Sequence, residues 1–202
     1  MIRKTEELRQ PYLDSLLKGC PPSVDNIVYD NTGEKSDEYL SGLVDKGLAD
    51  KEIADKHTGL APKRRPHMVV VGTPQILGRG LKQPIFVSDA AFRVYGVESL
   101  FLNVLIDHEC VHASDFMNGI TVNSLDITYR DVDEFNPFTC ITLMEYHAFN
   151  VQIARLQKRN ITRRDFIDDM LLRRSFVEDA LKKTKPKTNF ERYVIEQTLK
   201  TT

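Results

Sequence analysis

The run His108-Glu109-Cys110-Val111-His112, set in FLNVLIDHECVHASDFMNG, holds the residues of this 202-residue sequence best spaced for chemistry. On a helix, residues i and i+4 are neighbours, with Cβ atoms about 5–6 Å apart. Two imidazoles in that relation can each reach one zinc ion at about 2.0–2.1 Å. Glu109 lies off the ligand axis but beside the metal, where it can take a proton from a water whose pKa zinc lowers to about 7. The spacing therefore supplies two ligands and a general base together. Leu102, Ile106, Cys110, Ala113 and Met117 form one apolar stripe that anchors the helix. His108 and His112 share another face with Phe101, Leu105 and Asp115, so they point into packed protein or a cleft. Burying two histidines and a glutamate is costly without partners, which favours a ligated pair over two satisfied core histidines.

A catalytic zinc takes three protein ligands and keeps a fourth position open. The metzincin extension would need Gly at position 115 and His or Asp at 118. The chain has Asp115 and Asn118, which excludes it. The next candidates stand in LMEYHAFNVQ, where Glu145 and His147 are two apart, about 200° around a helix, so only one can face the metal. Glu145 shares its face with Ile141, Ala148, Phe149 and Gln152, and Ala148 would let two helices approach closely. His147 shares its face with Cys140, Leu143, Met144 and Val151.

With these residues in place, the chain resembles the gluzincin branch of zincin-like metallopeptidases over about residues 67–157. The matching features are a strand at Ile85–Val87, then His108/Glu109/His112, then Glu145, in that order. HExxH is the specific part of the match, and Glu-x-x-Ala is a looser one. The resemblance implies a zinc-dependent peptidase with Glu145 as third ligand. It also implies that a peptide or protein substrate pairs as an extra strand along the edge of the sheet.

Other roles stay open. His147, Tyr146, Tyr129 and Arg130 are candidate donors to a developing oxyanion or to substrate. Asp115, one turn after His112, could orient an imidazole from behind. Cys110 falls on the opposite, apolar face and reads as a small buried hydrophobe, not a ligand.

The elements that must position these groups follow from periodicity and punctuation. Residues 3–19 predict a helix with Pro11 as a kink or true start, stopped by Cys20-Pro21-Pro22. A short strand is expected at Asn26–Tyr29 and a second helix over Tyr39–His57, with Gly59 at its end. Met68–Gly72 and Gln83–Ser88 read as strands, the latter an edge strand because of Pro84. Val97–Asn118 is a long helix ended by Gly119. The seventeen residues TVNSLDITYRDVDEFNP read as an acidic loop, long enough to suggest a functional role. Helices are expected over Phe138–Lys158, over Thr162–Lys183 with Thr162 as N-cap, and over residues 188–199. The expected fold is therefore α+β, zincin-like and mostly helical, with a small sheet whose edge strand precedes the HExxH helix. It forms one domain over 1–202, with a helical N-terminal subregion (1–66), a metal-site core (67–158) and C-terminal helices (159–202).

Composition bounds the rest. Lys and Arg number 28 against 29 Asp and Glu, so no global charge excess calls for nucleic acid or an anionic membrane. Residues 101–157 are nevertheless net acidic and 158–202 net basic, which predicts a preference for cationic substrate segments. Residues 47–65, GLADKEIADKHTGLAPKRR, resemble a helix-turn-helix module, with Ala54 as the packing residue and Gly59 in the turn. Pro62 and Pro66 leave too little room for a recognition helix, which argues against DNA binding. No apolar run has signal-peptide or membrane-span character, and three widely spaced cysteines argue for a reducing cytoplasm. Three readings remain: a zinc peptidase, an inactive zincin-fold binding or regulatory protein, and a DNA-binding regulator.

Overall fold

A computed structural model describes residues 7–52, 68–70, 72–95, 100–158 and 164–200. The fold is α+β and mostly helical, with a small sheet. Helix α1 (Arg9–Leu17) places Pro11 in its first turn, where the missing N–H has no helical partner to lose. Strand β1 spans Val24–Tyr29. Helix α2 spans Glu34–Asp45, starting earlier and stopping sooner than the expected Tyr39–His57. Its start is set by Asp30, whose carboxylate accepts the N–H groups of Gly33, Lys35 and Ser36 at 2.9, 3.4 and 3.0 Å. Its end is set by Gly47 at φ 66°, with Leu48 N–H donating to Leu43 O at 2.8 Å in the manner of a Schellman cap. Most of the helix-turn-helix-like segment falls in 53–67, outside the described residues.

Strands β2 (Met68–Val70) and β3 (Gln83–Val87) complete a sheet of order β1-β3-β2. β1 runs parallel to β3, and β2 antiparallel to it. The expectation that Ile85–Val87 forms the edge is therefore corrected: β3 is central and buried along its whole length, and β2 is the edge strand ahead of the HExxH helix. Pro84 is tolerated at the centre because the β1 register shifts between Val24 and Ile27, opposite it, so no ladder bond is lost there.

Helix α3 (Asp89–Tyr95), which the sequence pattern did not suggest, follows directly. Asp89 at its start pairs with the buried Arg9, which also meets the Tyr29 hydroxyl and so ties α1, β1 and α3 together. Helix α4 (Leu100–Asn118) carries HExxH and ends at Gly119, whose φ of 86° only glycine accepts easily. A Cβ there would stand 2.6 Å from the carbonyl oxygen of Ile127.

The expected acidic loop is structured. β4 (Ile120–Val122) and β5 (Leu125–Ile127) form a hairpin, followed by the short helix α5 (Tyr129–Val132). Asn123 and Ser124 both adopt positive φ, 47° and 68°, as a two-residue type I′ turn requires. Thr128 and Asp131 form a capping box at α5. Long helices α6 (Pro137–Lys158) and α7 (Arg164–Lys183) and the shorter α8 (Asn189–Lys200) complete the chain. The expected Thr162 cap lies outside the described residues. One apolar core runs from Leu13 and Ile27 through Ile85, Leu102 and Leu143 to Val194, and a smaller cluster of Val104, Phe149, Ile153, Leu156 and Met170 joins α4, α6 and α7. Among the described residues, no helix is long and apolar enough to cross a membrane.

Glu191 on α8 fixes the start of α6. It is fully buried and accepts from Asn136 N–H at 3.1 Å, the Thr139 hydroxyl at 2.5 Å and Lys187 N–H at 2.5 Å. Glu191→Ala leaves those donors unpaired and is expected to destabilise the fold by about 3 kcal/mol. Urea unfolding should show a lowered midpoint at unchanged slope.

Candidate metal centre

α4 and α6 pack side by side, and the site forms where their facing stripes meet. His108 and His112 are buried, and their Nε2 atoms lie 3.1 Å apart. Glu145 reaches across from α6, with Oε2 3.4 Å from His108 Nε2 and Oε1 3.4 Å from His112 Nε2. Three atoms bound tetrahedrally to one zinc at about 2.0–2.1 Å would stand about 3.3–3.4 Å from one another. Here the carboxylate spans the pair, Oε2 facing His108 and Oε1 facing His112, and one ligand atom from each of the three residues lies within 4.8 Å of the others. Two imidazole nitrogens and a carboxylate facing one another need a proton or a cation between them, so the donor set fits a divalent metal in kind. His108, His112 and Glu145 can hold a metal ion. The Glu145 side chain is 39% exposed against 10% and 9% for the histidines, so solvent reaches the triangle from its α6 side.

Around the ligands, the His108 ring rests against Phe149, with centroids 4.7 Å apart. His108 Nδ1 faces Gln152 Oε1 at 3.3 Å, and Gln152 Nε2 donates to the Val104 carbonyl of α4 at 2.5 Å. A buried glutamine thus fixes the ring that its helix partner presents. This role was not evident from sequence, although Gln152 lies seven residues beyond Glu145, on the same helix face.

Glu109 is held from the other side. Its Oε2 accepts the Val70 N–H of the edge strand at 3.0 Å, which leaves Oε1 as its other oxygen. Burial raises its pKa above the ordinary carboxylate value, with His112, His108 and the Val70 amide opposing the rise. Glu145 moves the other way. Burial opposes its ionisation, but the two imidazoles outweigh it and hold the carboxyl below the usual range. Burial works against a charged His112, yet contact with Glu145 and the charges of Glu109, Glu145 and Asp115 push its pKa up to about 9.

The remaining sequence candidates separate. His147 Nδ1 lies 2.9 Å from Asp115 Oδ1, while His112 Nδ1 is 4.0 Å from Asp115 Oδ2. Asp115, buried and with a pKa raised by that burial, therefore orients His147 more directly than it orients His112. Tyr146 is buried, with the Arg174 guanidinium 6.0 Å over its ring. Tyr129 and Arg130 sit on α5, and no hydrogen bond or ion pair joins them to the three ligands. Cys110 is buried on the opposite side of α4, its sulfur 3.4 Å from that of Cys20.

No protein family, curated protein or solved structure matches the chain.

A proton on His112 competes with a metal for the same nitrogen. With that pKa near 9, apparent zinc affinity should rise about tenfold per pH unit between pH 6 and 8 and level off above 9. Competition titration against a chromophoric chelator checks the slope.

Proposed function

We propose that the chain is a zinc-dependent metallopeptidase of the zincin type, with His108, His112 and Glu145 as ligands and Glu109 as general base. The observation that carries this reading is the convergence of three side chains, with the two imidazole Nε2 atoms 3.1 Å apart and the Glu145 carboxylate bridging them at 3.4 Å to each, beside a carboxylate anchored to the edge strand. A zinc ion held there would supply Lewis acidity to a scissile carbonyl and lower the pKa of a water to about 7.

The chain's own groups supply the rest. Glu109 takes the proton of the attacking water on Oε1 and later delivers it to the leaving amine. The upward pull of burial on its pKa suits a group that must act as base and then as acid. β2 is an edge strand, and its outer side lies beside Glu109, so an extended peptide would pair there with the backbone groups other than the Val70 amide, which Glu109 takes. His147, whose Nδ1 lies against Asp115 one turn beyond His112, is the group assigned to donate to the developing oxyanion. The substrate is thus a peptide or unfolded protein segment. A cytoplasmic setting is supported by three free cysteines.

Zinc-quantified protein should hold one ion per chain and cleave a denatured protein substrate. Glu109→Gln should keep the zinc and lose about 10²–10⁴-fold in kcat. His147→Ala should lower kcat about 10²-fold with a smaller change in KM. Full zinc loading with no turnover in any peptide library would assign the inactive binding role instead, and a chain that takes up no zinc would sink both readings.

A further inference from the structure

A second candidate site lies at the C-terminal end of α4, built from residues that the metal centre does not use. The segment after the turn at Pro74–Ile76 packs against the end of that helix, with Gly78 N–H donating to Asp115 O at 3.2 Å and Arg79 N–H to Phe116 O at 3.2 Å. Tyr129 N–H donates to Leu77 O at 2.8 Å, which brings α5 against the same segment. Between them opens a cavity of about 360 Å³ lined by Gly78, Arg79, Thr128, Tyr129 and Arg130.

The charge in it is fixed in place. The Arg79 guanidinium lies 3.8 Å from the centroid of the Tyr129 ring, and its Nε donates to Gln75 O at 2.6 Å. Arg130 comes to the same tyrosine, donating from Nε to the phenol oxygen at 3.2 Å. Each arginine is thus held through Nε, with its two terminal nitrogens left over. Among the described residues, neither guanidinium has a carboxylate partner. Tyr129 sits on a helix fixed by the Thr128–Asp131 capping box, so the platform between them is rigid. Asp131 acts on Arg130 at a distance but forms no ion pair with it, so the two cations gathered on one ring repel each other, and a ligand with a planar or tetrahedral oxoanion relieves that repulsion. The phenol supplies a further polar contact.

We propose that this pocket binds an oxoanion, a phosphate or carboxylate group, through the terminal nitrogens of Arg79 and Arg130 on the Tyr129 platform. The proposal stands whether or not the chain is a peptidase. Isothermal titration at low ionic strength tests it with two kinds of probe: inorganic phosphate, and a pair of peptides that differ only in a free or amidated C-terminus. One saturable site per chain is expected for phosphate, for the free-acid peptide, or for both. A response to phosphate alone assigns a phosphoryl group, and a preference for the free acid over its amide assigns a carboxylate. Arg79→Ala and Arg130→Ala should each weaken binding about tenfold, and Lys182→Ala on α7 should leave it unchanged. Both arginines are exposed, so circular dichroism of the variants should match the parent. Absence of binding by both probes overturns the proposal, as does binding that both arginine variants retain or that Lys182→Ala weakens equally.

Discussion

The site depends on one buried amide. Gln152 reaches from α6 to the Val104 carbonyl of α4 with its nitrogen and to the His108 ring with its oxygen. A glutamine can do both only if the two helices lie close and in one register. That register also sets where Glu145, two turns earlier on α6, meets His108 and His112. A small residue makes the approach possible, since Ala148, on the Glu145 face of α6, is completely buried. A helix pair displaced by one residue would carry Glu145 about 100° out of the triangle and leave two imidazoles facing each other unpaired. Ligand geometry and helix packing are therefore one constraint.

The same economy holds on the sheet side. The edge strand β2 is short, but its Val70 amide is what anchors Glu109. Close contact there requires a glycine nearby. A Cβ on Gly72 would stand 2.4 Å from the Phe116 ring of α4, so the chain leaving β2 can cross the helix only without a side chain. Glu109 is thus positioned by strand, helix and glycine together.

How much of this was legible depends on how local the cause is. HExxH and the stop at Gly119 are written within one helix, and both could be read from spacing. The two faces separating Glu145 from His147 were also readable, but which of them meets His108 and His112 depends on how α4 and α6 pair. The hairpin at Asn123–Ser124 escaped because its turn uses two non-glycine residues at positive φ, which no simple turn signal marks. β3 looked like an edge because of Pro84, whose tolerance depends on a register shift in another strand. The early start of α2 came from Asp30, a cap lying several residues ahead of the periodic pattern.

Charge was the least transparent property. The acidic block at 101–157 suggested an anionic surface attractive to cationic segments. Folding commits much of it elsewhere: Glu109, Glu145 and Asp115 turn toward the histidines, Asp131 caps α5, and Asp126 accepts from Thr121 across the hairpin. Beside the C-terminal end of α4, the guanidinium groups of Arg79 and Arg130 form no ion pair with a carboxylate among the described residues, while Asp133 and Glu134 stay exposed nearby in sequence. A sum over sequence counts every acid equally, whereas the field that a ligand meets comes only from groups the fold has not already neutralised. The surface at the end of α4 therefore presents two guanidinium groups, one of which, Arg130, comes from a stretch whose composition reads as acidic.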